Sequence, residues 1–508
     1  MVANCALLDG DTRQIVAIFI GLPSVAYELA STKDGDGEIT PLSRGVSHLQ
    51  HAMVGTSIVG MSCMLADGAH SSSRLWDTMS GQQTLVTSLP PDRWSSVCAK
   101  ENAPVDVLVG AFLETVSVSF PELSEVDKPD LHLELMLSMA NESLCDAAWA
   151  NDCGRKIGAV TAAETLDFAV PTFSWLVSRL VAQALRTEGP STNIEAGCAS
   201  SYLATAHALS LLNNGECEAA LVVGASLMLK PLSSVALLKM GGLSLSGRMR
   251  PLDTSADGMV RGEAGAAIVL QRVSDQQTSY ATVLAASATI TSTDFPLGFA
   301  DADAMGQACK QAMACSSSAE PGSIAFTHMH AMGNPSCDIP EAQAVWDAIG
   351  RFKPSGDKLK LASHKGSFGH TVAPSGLVAI ITSALILQNR SVAVWAGTTN
   401  PVKEVDSMHL PTHKQAPLPL DGSLLASISG TSNSGDNIHI LLAGELAHRS
   451  VPLWTGTTDR VKEVGSMDLA SLEQASPPLD GILSASLSGT SNISAGRVES
   501  KQESTPSR

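Results

Sequence analysis

Cys198 stands between two stretches of opposite character. Residues 190–195 predict a short strand, and residues 199–212 carry helix formers closed by Asn213, Asn214 and Gly215. That order places the sulfur at a helix N-terminus. Backbone N–H groups and the helix dipole there favour a thiolate, so the expectation is a lowered pKa and a prepared nucleophile. Gly197 before it and the small Ala199, Ser200 and Ser201 after it permit a tight turn and close substrate approach. A cysteine in such a setting, taken alone, is more often structural.

Two histidine loops supply partners. His330 follows a strand-like run and opens His330-Ala-Met-Gly-Asn-Pro335, a loop rich in turn residues. Lys365-Gly-Ser-Phe-Gly-His370 is a second short loop, entered from the apolar residues 359–362. A loop histidine could equally be a solvated surface group. His328 and His330 could suggest a metal pair, but no third carboxylate or cysteine stands at a diagnostic spacing. Neither a metal nor a cofactor is expected.

Such loops need a scaffold to bring them together. Residues 56–64, 219–224 and 266–270 read as buried strands, residues 75–76 begin a helix, and residues 131–148 and 170–185 have helical or long apolar character. After Thr289 the pattern restarts, with helices at 304–313, 341–349 and 377–388 and strands at 323–327 and 437–442. This rhythm predicts a layered α/β fold in two halves with a seam near residues 272–290.

Composition agrees. The chain has 508 residues, 44% hydrophobic and 16% charged, with 41 Gly and 25 Pro, which argues against disorder and against a coiled coil. Lys and Arg number 32 against 50 Asp and Glu, a net charge of −18, so no nucleic-acid partner is expected. The 10 cysteines include no C-x-x-C and suit a reduced, intracellular protein. Residues 16–30 lack the cationic start of a signal peptide, and no segment reaches about eighteen uninterrupted apolar residues. A cytoplasmic protein with no membrane partner is the expectation; residues 1–51 leave a plastid destination open.

The end of the chain holds a repeat. Trp395-Ala-Gly-Thr-Thr-Asn-Pro-Val-Lys-Glu-Val405 recurs as Trp454-Thr-Gly-Thr-Thr-Asp-Arg-Val-Lys-Glu-Val464, and residues 419–422 and 430–433 recur at the same offset. Solenoids need about three units or more, so two copies suggest a duplicated terminus. Residues after about 447 are expected to contribute no active-site group.

The motifs then become specific to one family. Glu195-Ala-Gly-Cys198-Ala-Ser-Ser201 resembles the nucleophile motif of the β-ketoacyl synthases, the condensing enzymes of fatty acid and polyketide synthesis. Further stretches agree in the family's order. Gly247 through Glu263 resembles the "GR…FD…DG…GEG" segment, and His330 through Gln343 the "HGTGT…D…EAQ" loop. Lys365 through His370 resembles "KSNIGH", and Asn437 to His439 the closing "TNAH". Ile58-Val-Gly-Met61 and Pro90-Pro-Asp-Arg-Trp94 are similar to the entry of ketosynthase domains from multidomain (type I) polyketide synthases.

The resemblance implies a thiolase-like α/β fold with two pseudo-symmetric α-β-α-β-α halves. Residues 52–280 would form the half with the nucleophile and residues 281–446 the half with the two histidines and the lysine, between a leader, 1–51, and the repeated tail, 447–508. It implies a homodimer working with acyl carrier protein. Cys198 would accept an acyl group from a carrier thioester; His330 and His370 would hold a malonyl thioester and stabilise charge during decarboxylation. Lys365 would not touch substrate but pair with Glu341 and organise the loop. The backbone N–H groups of Cys198 and Asn433 would form the oxyanion hole.

Some positions depart from the family pattern. Its threonines after the first histidine become Met332 and Asn334, and the asparagine of the lysine loop becomes Ser367. The gating phenylalanine of the closing segment becomes Asn433, which keeps a backbone N–H but not an apolar gate. The competing reading, from a different class, is a catalytically degenerate partner or scaffold protein; such chains typically replace the nucleophilic cysteine, which here is present.

Overall fold

The computed structural model describes residues 55–90, 109–113, 130–149, 156–165, 168, 174–273, 279–292, 299–316 and 319–444, with short backbone strands at 16–18, 27–29, 32–33 and 39–40. The turn at 91–94, the remainder of the leader and the repeated tail lie outside the described residues.

Five strands come from the first part of the chain: β1 (Thr56–Leu65), β2 (Ile157–Ala162), β3 (Ser191–Ile194), β4 (Ala219–Ser226) and β5 (Ala264–Arg272). Five more follow: β6 (Ala281–Ile290), β7 (Ile324–His328), β8 (Lys360–Ala362), β9 (Leu424–Thr431) and β10 (Asp436–Gly444). In space the first set runs β1-β5-β4-β2-β3, and the second runs β6-β10-β9-β7-β8. Within each set the first two pairings are antiparallel and the last two parallel. The halves are therefore topological copies. They join through antiparallel pairing of β1 with β6, Ala281 opposite Ile58 and Val283 opposite Thr56, into one 10-stranded sheet.

Residue choice explains the layering. β4, Ala-Ala-Leu-Val-Val-Gly-Ala-Ser, is buried at every position, as befits a strand covered on both faces. Helix α1 (Ser72–Ser80) follows β1, and its N-cap Ser71 accepts a hydrogen bond from the Arg74 N–H. Helices α2 (Leu131–Asp146) and α3 (Ser174–Ala184) cover the outer face of the first half. Helix α4 (Ser200–Asn213) lies on its inner face, and α5 (Leu232–Lys239) is short and partly exposed. In the second half α6 (Ala302–Ala314) and α7 (Pro335–Ala348) lie outside, α8 (Lys365–Phe368) is a single turn, and α9 (Ser375–Asn389) lies inside.

Helix α9 is buried from Ser375 to Leu387 on all sides, which its sequence, Ser-Gly-Leu-Val-Ala-Ile-Ile-Thr-Ser-Ala-Leu-Ile-Leu, anticipates: a helix apolar all round belongs in an interior. Each fully buried Leu or Ile contributes about 1.5–3 kcal/mol. It packs against α4, and a Cβ on Gly376 would lie 2.7 Å from the Tyr202 backbone nitrogen and ring, so this crossing requires glycine. The resulting order is outer helices, the strands of the first half, the α4–α9 layer, the strands of the second half, outer helices.

The expected elements are present, α4 one residue later than expected at each end, whereas β2, β6, β9 and α5 stand where none was expected. One helix differs. α7 begins at Pro335 instead of 341, because Asn334 caps it by accepting the Ser336 N–H and Pro335 occupies the first turn, where a missing N–H costs nothing. Pro335, which closed the expected loop, is a helix-starting residue, and Pro340 is accommodated inside the helix.

Candidate active site

Three loops converge where the inner ends of the halves meet. The first is the 3-10 turn Gly197–Ala199 that leads from β3 into α4 and carries the buried Cys198. Gly197 adopts φ 56°, and its N–H donates to Glu164 Oε1 at 2.7 Å. Ser200 Oγ accepts the Ala196 N–H at 2.8 Å and donates to the Gly197 carbonyl at 2.7 Å, closing the turn. Ser201 ties this turn to the second half. Its Oγ accepts the N–H groups of Gly376 at 2.8 Å and Leu377 at 3.2 Å, two first-turn donors of α9, and its own N–H donates to the Ala373 carbonyl.

The second loop follows β7 and holds His330. Ala331 has φ 39°, an unfavourable value for a residue with a Cβ, and the backbone is held there by Glu341 of α7. The Glu341 carboxylate accepts the His330 N–H at 2.6 Å, the Ala331 N–H at 2.8 Å and the Ser429 hydroxyl. One turn earlier on α7, Asp338 accepts the N–H groups of Gly333 at 3.1 Å and Leu252 at 2.8 Å.

The third loop is α8 with His370. Gly369 has φ 67° and ψ −172°, and a Cβ there would lie 2.9 Å from the carbonyl oxygens of Val260 and Arg261. His370 is pinned by a backbone bridge to Arg261: its N–H donates to Val260 at 2.7 Å, and its carbonyl accepts the Gly262 N–H at 2.9 Å.

These placements bring Cys198, His330 and His370 together. His370 Nε2 lies 2.9 Å from Cys198 Sγ, and the two imidazoles meet edge to face with centroids 5.1 Å apart. The Val372 N–H approaches His370 Nδ1 at 3.4 Å, which assigns the ring proton to Nε2, facing the sulfur. One ligand atom from each of the three residues lies within 4.8 Å of the others, so a metal has to be considered. Tetrahedral zinc would set its sulfur and nitrogen ligands about 3.5 Å apart. At 2.9 Å the sulfur and Nε2 are in direct contact, closer than a shared zinc would hold them, as a hydrogen bond between nucleophile and imidazole requires. His328 faces Thr382 and His364, at 3.1 and 3.5 Å, and does not form a ligand pair with His330.

Electrostatics correct the first expectation for Cys198. Burial pushes its thiol up to about 12; the Lys365 cation opposes this without reversing it. The helix N-terminus is present, but desolvation of the enclosed sulfur outweighs it. His330 and His370 are held well below the usual imidazole range by burial, with Lys365 adding repulsion, so both are neutral at pH 7. Burial lowers Lys365 to about 8, against the attraction of Glu341 and Cys198.

The expected direct pairing of Lys365 with Glu341 is not formed. Among the described residues Lys365 Nζ has no hydrogen-bond partner, and Glu341 spends its oxygens on backbone N–H groups and Ser429. The lysine acts on this site through its field. Asn433, at the expected gate position, is half-buried and lines the same narrow cleft as Cys198 and His330. Sequence reasoning missed Glu164, whose role depends on a contact across 33 positions, and read Ser201 only as a small residue. It did not single out Cys337, which lines the cleft.

Comparison with known proteins agrees with this geometry. Residues 56–276 match the family description "Beta-ketoacyl synthase, N-terminal domain", and residues 280–398 match "Beta-ketoacyl synthase, C-terminal domain". A phenolphthiocerol/phthiocerol polyketide synthase of Mycobacterium bovis is 26% identical over 428 residues, covering 76% of this chain and 22% of that protein. The Non-reducing polyketide synthase olcA of Penicillium canescens is 28% identical over 433 residues, covering 76% of this chain and 18% of that protein. The chain thus spans about a fifth of the length of these curated relatives. Among solved structures, a ketosynthase from module 6 of the bacillaene synthase of Bacillus subtilis superposes with a TM-score of 0.69 at 21% identity, covering 77% of this chain and 72% of that one. An oxazolomycin ketosynthase domain of Streptomyces albus gives 0.69 at 21%, covering 78% and 76%. Two consecutive domain matches and the doubled topology agree: the chain belongs to the β-ketoacyl synthase family and has the thiolase-like fold.

Proposed function

We propose that this chain catalyses decarboxylative Claisen condensation between an acyl group held on Cys198 and a malonyl thioester on acyl carrier protein. The observation that carries the reading is the contact of His370 Nε2 with Cys198 Sγ beside a second neutral imidazole, His330, in one buried cleft.

In the first step Cys198 attacks the carbonyl of an acyl-carrier thioester. The carrier thiol leaves with the proton of the Cys198 thiol, and the acyl group remains on sulfur. His370 Nε2–H, aimed at the sulfur, stabilises negative charge as it develops there, which offsets the burial that disfavours a thiolate. The backbone N–H groups of Cys198 and Asn433 serve as donors for the tetrahedral oxyanion. In the second step a malonyl thioester loses CO2, and its electron pair passes into an enolate whose oxygen accepts from His330 and His370. Neutral imidazoles suit this task, since they donate without fully protonating the enolate. The enolate carbon bonds to the acyl carbonyl, the C–S bond to Cys198 breaks, and the returning thiolate takes a proton from solvent.

A homodimer and a cytoplasmic setting belong to the same reading. The β3 strand, Ser191–Ile194, ends the sheet with an edge that no described strand pairs, and a second copy could extend it. No helix among the described residues is long and apolar enough to cross a membrane.

The test is intact-mass detection of acyl transfer from an acyl thioester, with peptide mapping of the modified site, and CO2 release from malonyl carrier protein. Acylation confined to Cys198 and absent in Cys198→Ala is expected, with His330→Ala losing CO2 release while still acylating. A protein in which other cysteines are acylated and Cys198 is not would refute the reading.

A further inference from the structure

The cleft above Cys198 has two unlike walls. Phe299, Ala300, Met332 and Cys337 form an apolar side, and Thr431, Ser432 and Asn433 form a polar one. We propose that the polar wall makes this site select acyl thioesters with a hydroxyl or keto oxygen on the first carbons beyond the thioester, and that Asn433 is the specificity-determining side chain. This rests on the condensing reading above and names the substrate class of the same site.

The polar groups of this wall are not equally available. The Thr431 hydroxyl is committed to Asn437 Oδ1 at 3.0 Å, and the Ser432 hydroxyl to Asp436 Oδ2 at 2.9 Å. Asn433 differs. Among the described residues no protein group holds its carboxamide, and the residue is half-buried at the edge of the cleft. A carboxamide offers both a donor and an acceptor, so it can serve a hydroxyl or a keto group.

The turn that presents it is braced. The Ser432 N–H donates to the Asp436 carbonyl at 3.0 Å, the Gly435 N–H to the Ser432 carbonyl at 3.0 Å, and the Ser434 hydroxyl to Asp436 Oδ2 at 2.6 Å. Gly435 takes φ 91°, which only glycine accepts readily. The backbone that presents Asn433 is therefore fixed, and its carboxamide is left free to meet an entering oxygen. A saturated acyl chain entering the cleft would strip water from this carboxamide and return nothing, whereas an oxygenated chain replaces the lost hydrogen bond. The apolar lining residues take the hydrocarbon face of either substrate. Because Asn433 remains partly in contact with solvent, the discrimination expected is that of one ordinary hydrogen bond, about tenfold.

The experiment compares Cys198 acylation rates, by intact mass, for the N-acetylcysteamine thioesters of butyrate and of each enantiomer of 3-hydroxybutyrate, at equal concentration. The wild-type chain should acylate about tenfold faster with one hydroxylated enantiomer than with butyrate. In Asn433→Leu, which keeps the branched four-atom skeleton of the side chain and the backbone N–H, that ratio should fall to about one. The ratio is internal to each sample, so a fraction of unfolded variant cancels. Equal rates in the wild type, or an unchanged ratio in Asn433→Leu, overturns the proposal while leaving the condensing reading intact. If no thioester acylates Cys198, the condensing reading fails and this proposal with it.

Discussion

Replacing Glu341 with glutamine tests how the His330 loop is held. The carboxylate is buried and receives three donors: the His330 N–H at 2.6 Å, the Ala331 N–H at 2.8 Å and the Ser429 hydroxyl. Three converging donors require an acceptor at both oxygens. Glutamine supplies only one carbonyl, so one backbone N–H must face an NH2 group. An orphaned buried donor costs about 1–3 kcal/mol, and weakening the charge-assisted bonds that remain adds about 1 kcal/mol. The sum, about 2–4 kcal/mol, should appear as a lower midpoint in urea denaturation with an unchanged slope. The chemistry should split. Ala331 at φ 39° relaxes once its N–H is released, and His330 moves with it. A displacement of about 1 Å at a reacting group can cost about a hundredfold, so malonyl decarboxylation should fall by about that factor. Acylation of Cys198 should persist, because Cys198 and His370 are held by other loops. Ala331→Gly in the otherwise native chain, where φ 39° is enforced, should add about 1 kcal/mol of stability by relieving the strained φ. A Glu341→Gln protein within about 0.5 kcal/mol of wild type that still decarboxylates normally would show that the carboxylate does not hold the loop.

Other consequences can be measured directly. Because burial raises the Cys198 thiol to about 12, alkylation of Cys198 by iodoacetamide should stay slow at pH 8 and keep accelerating above pH 10; a midpoint near that of free cysteine would contradict the desolvated site. Lys365 is lowered to about 8 in the folded chain from 10.5, so the unfolded chain binds more protons between those values. Its destabilisation is complete below about pH 8 and is relieved as pH rises towards 10.5, so the stability of wild type relative to Lys365→Met should climb across that window; a flat difference would count against a desolvated cation. Gly376→Ala puts a Cβ 2.7 Å from the Tyr202 backbone and should lower stability by about 1–3 kcal/mol, with a neutral result refuting the close α4–α9 crossing.

Much of the fold was legible in the sequence because its signals are local. β4 reads as a continuous apolar run, α9 as a helix apolar all round, and Asn213 to Gly215 as a helix stop. The start of α7 was misjudged because proline is ambiguous: Pro335 opens a helix only when Asn334 caps it, and that hydrogen bond depends on the path of the incoming loop. The site was legible as a set of motifs, Cys198, His330, Lys365 and His370, but not as a network. Glu164 carries no local sign of its bond to the nucleophile turn, and nothing near Lys365 shows that its ammonium lies without a direct partner.

The sequence by itself determined which residues can do chemistry and which segments are strands or helices, since side-chain type, spacing and caps act over a few residues. Only the tertiary structure decided that His370, 172 positions from Cys198, touches its sulfur, because two topologically matched halves meet along β1 and β6 and along α4 and α9. It also decided the charge states. A helix N-terminus near Cys198 argues for an easily ionised thiol, but burial belongs to the assembled molecule and moves the thiol to about 12. Reactivity there depends on what His370 and the substrate supply when the cleft is filled, because desolvation is set by every layer packed around the sulfur.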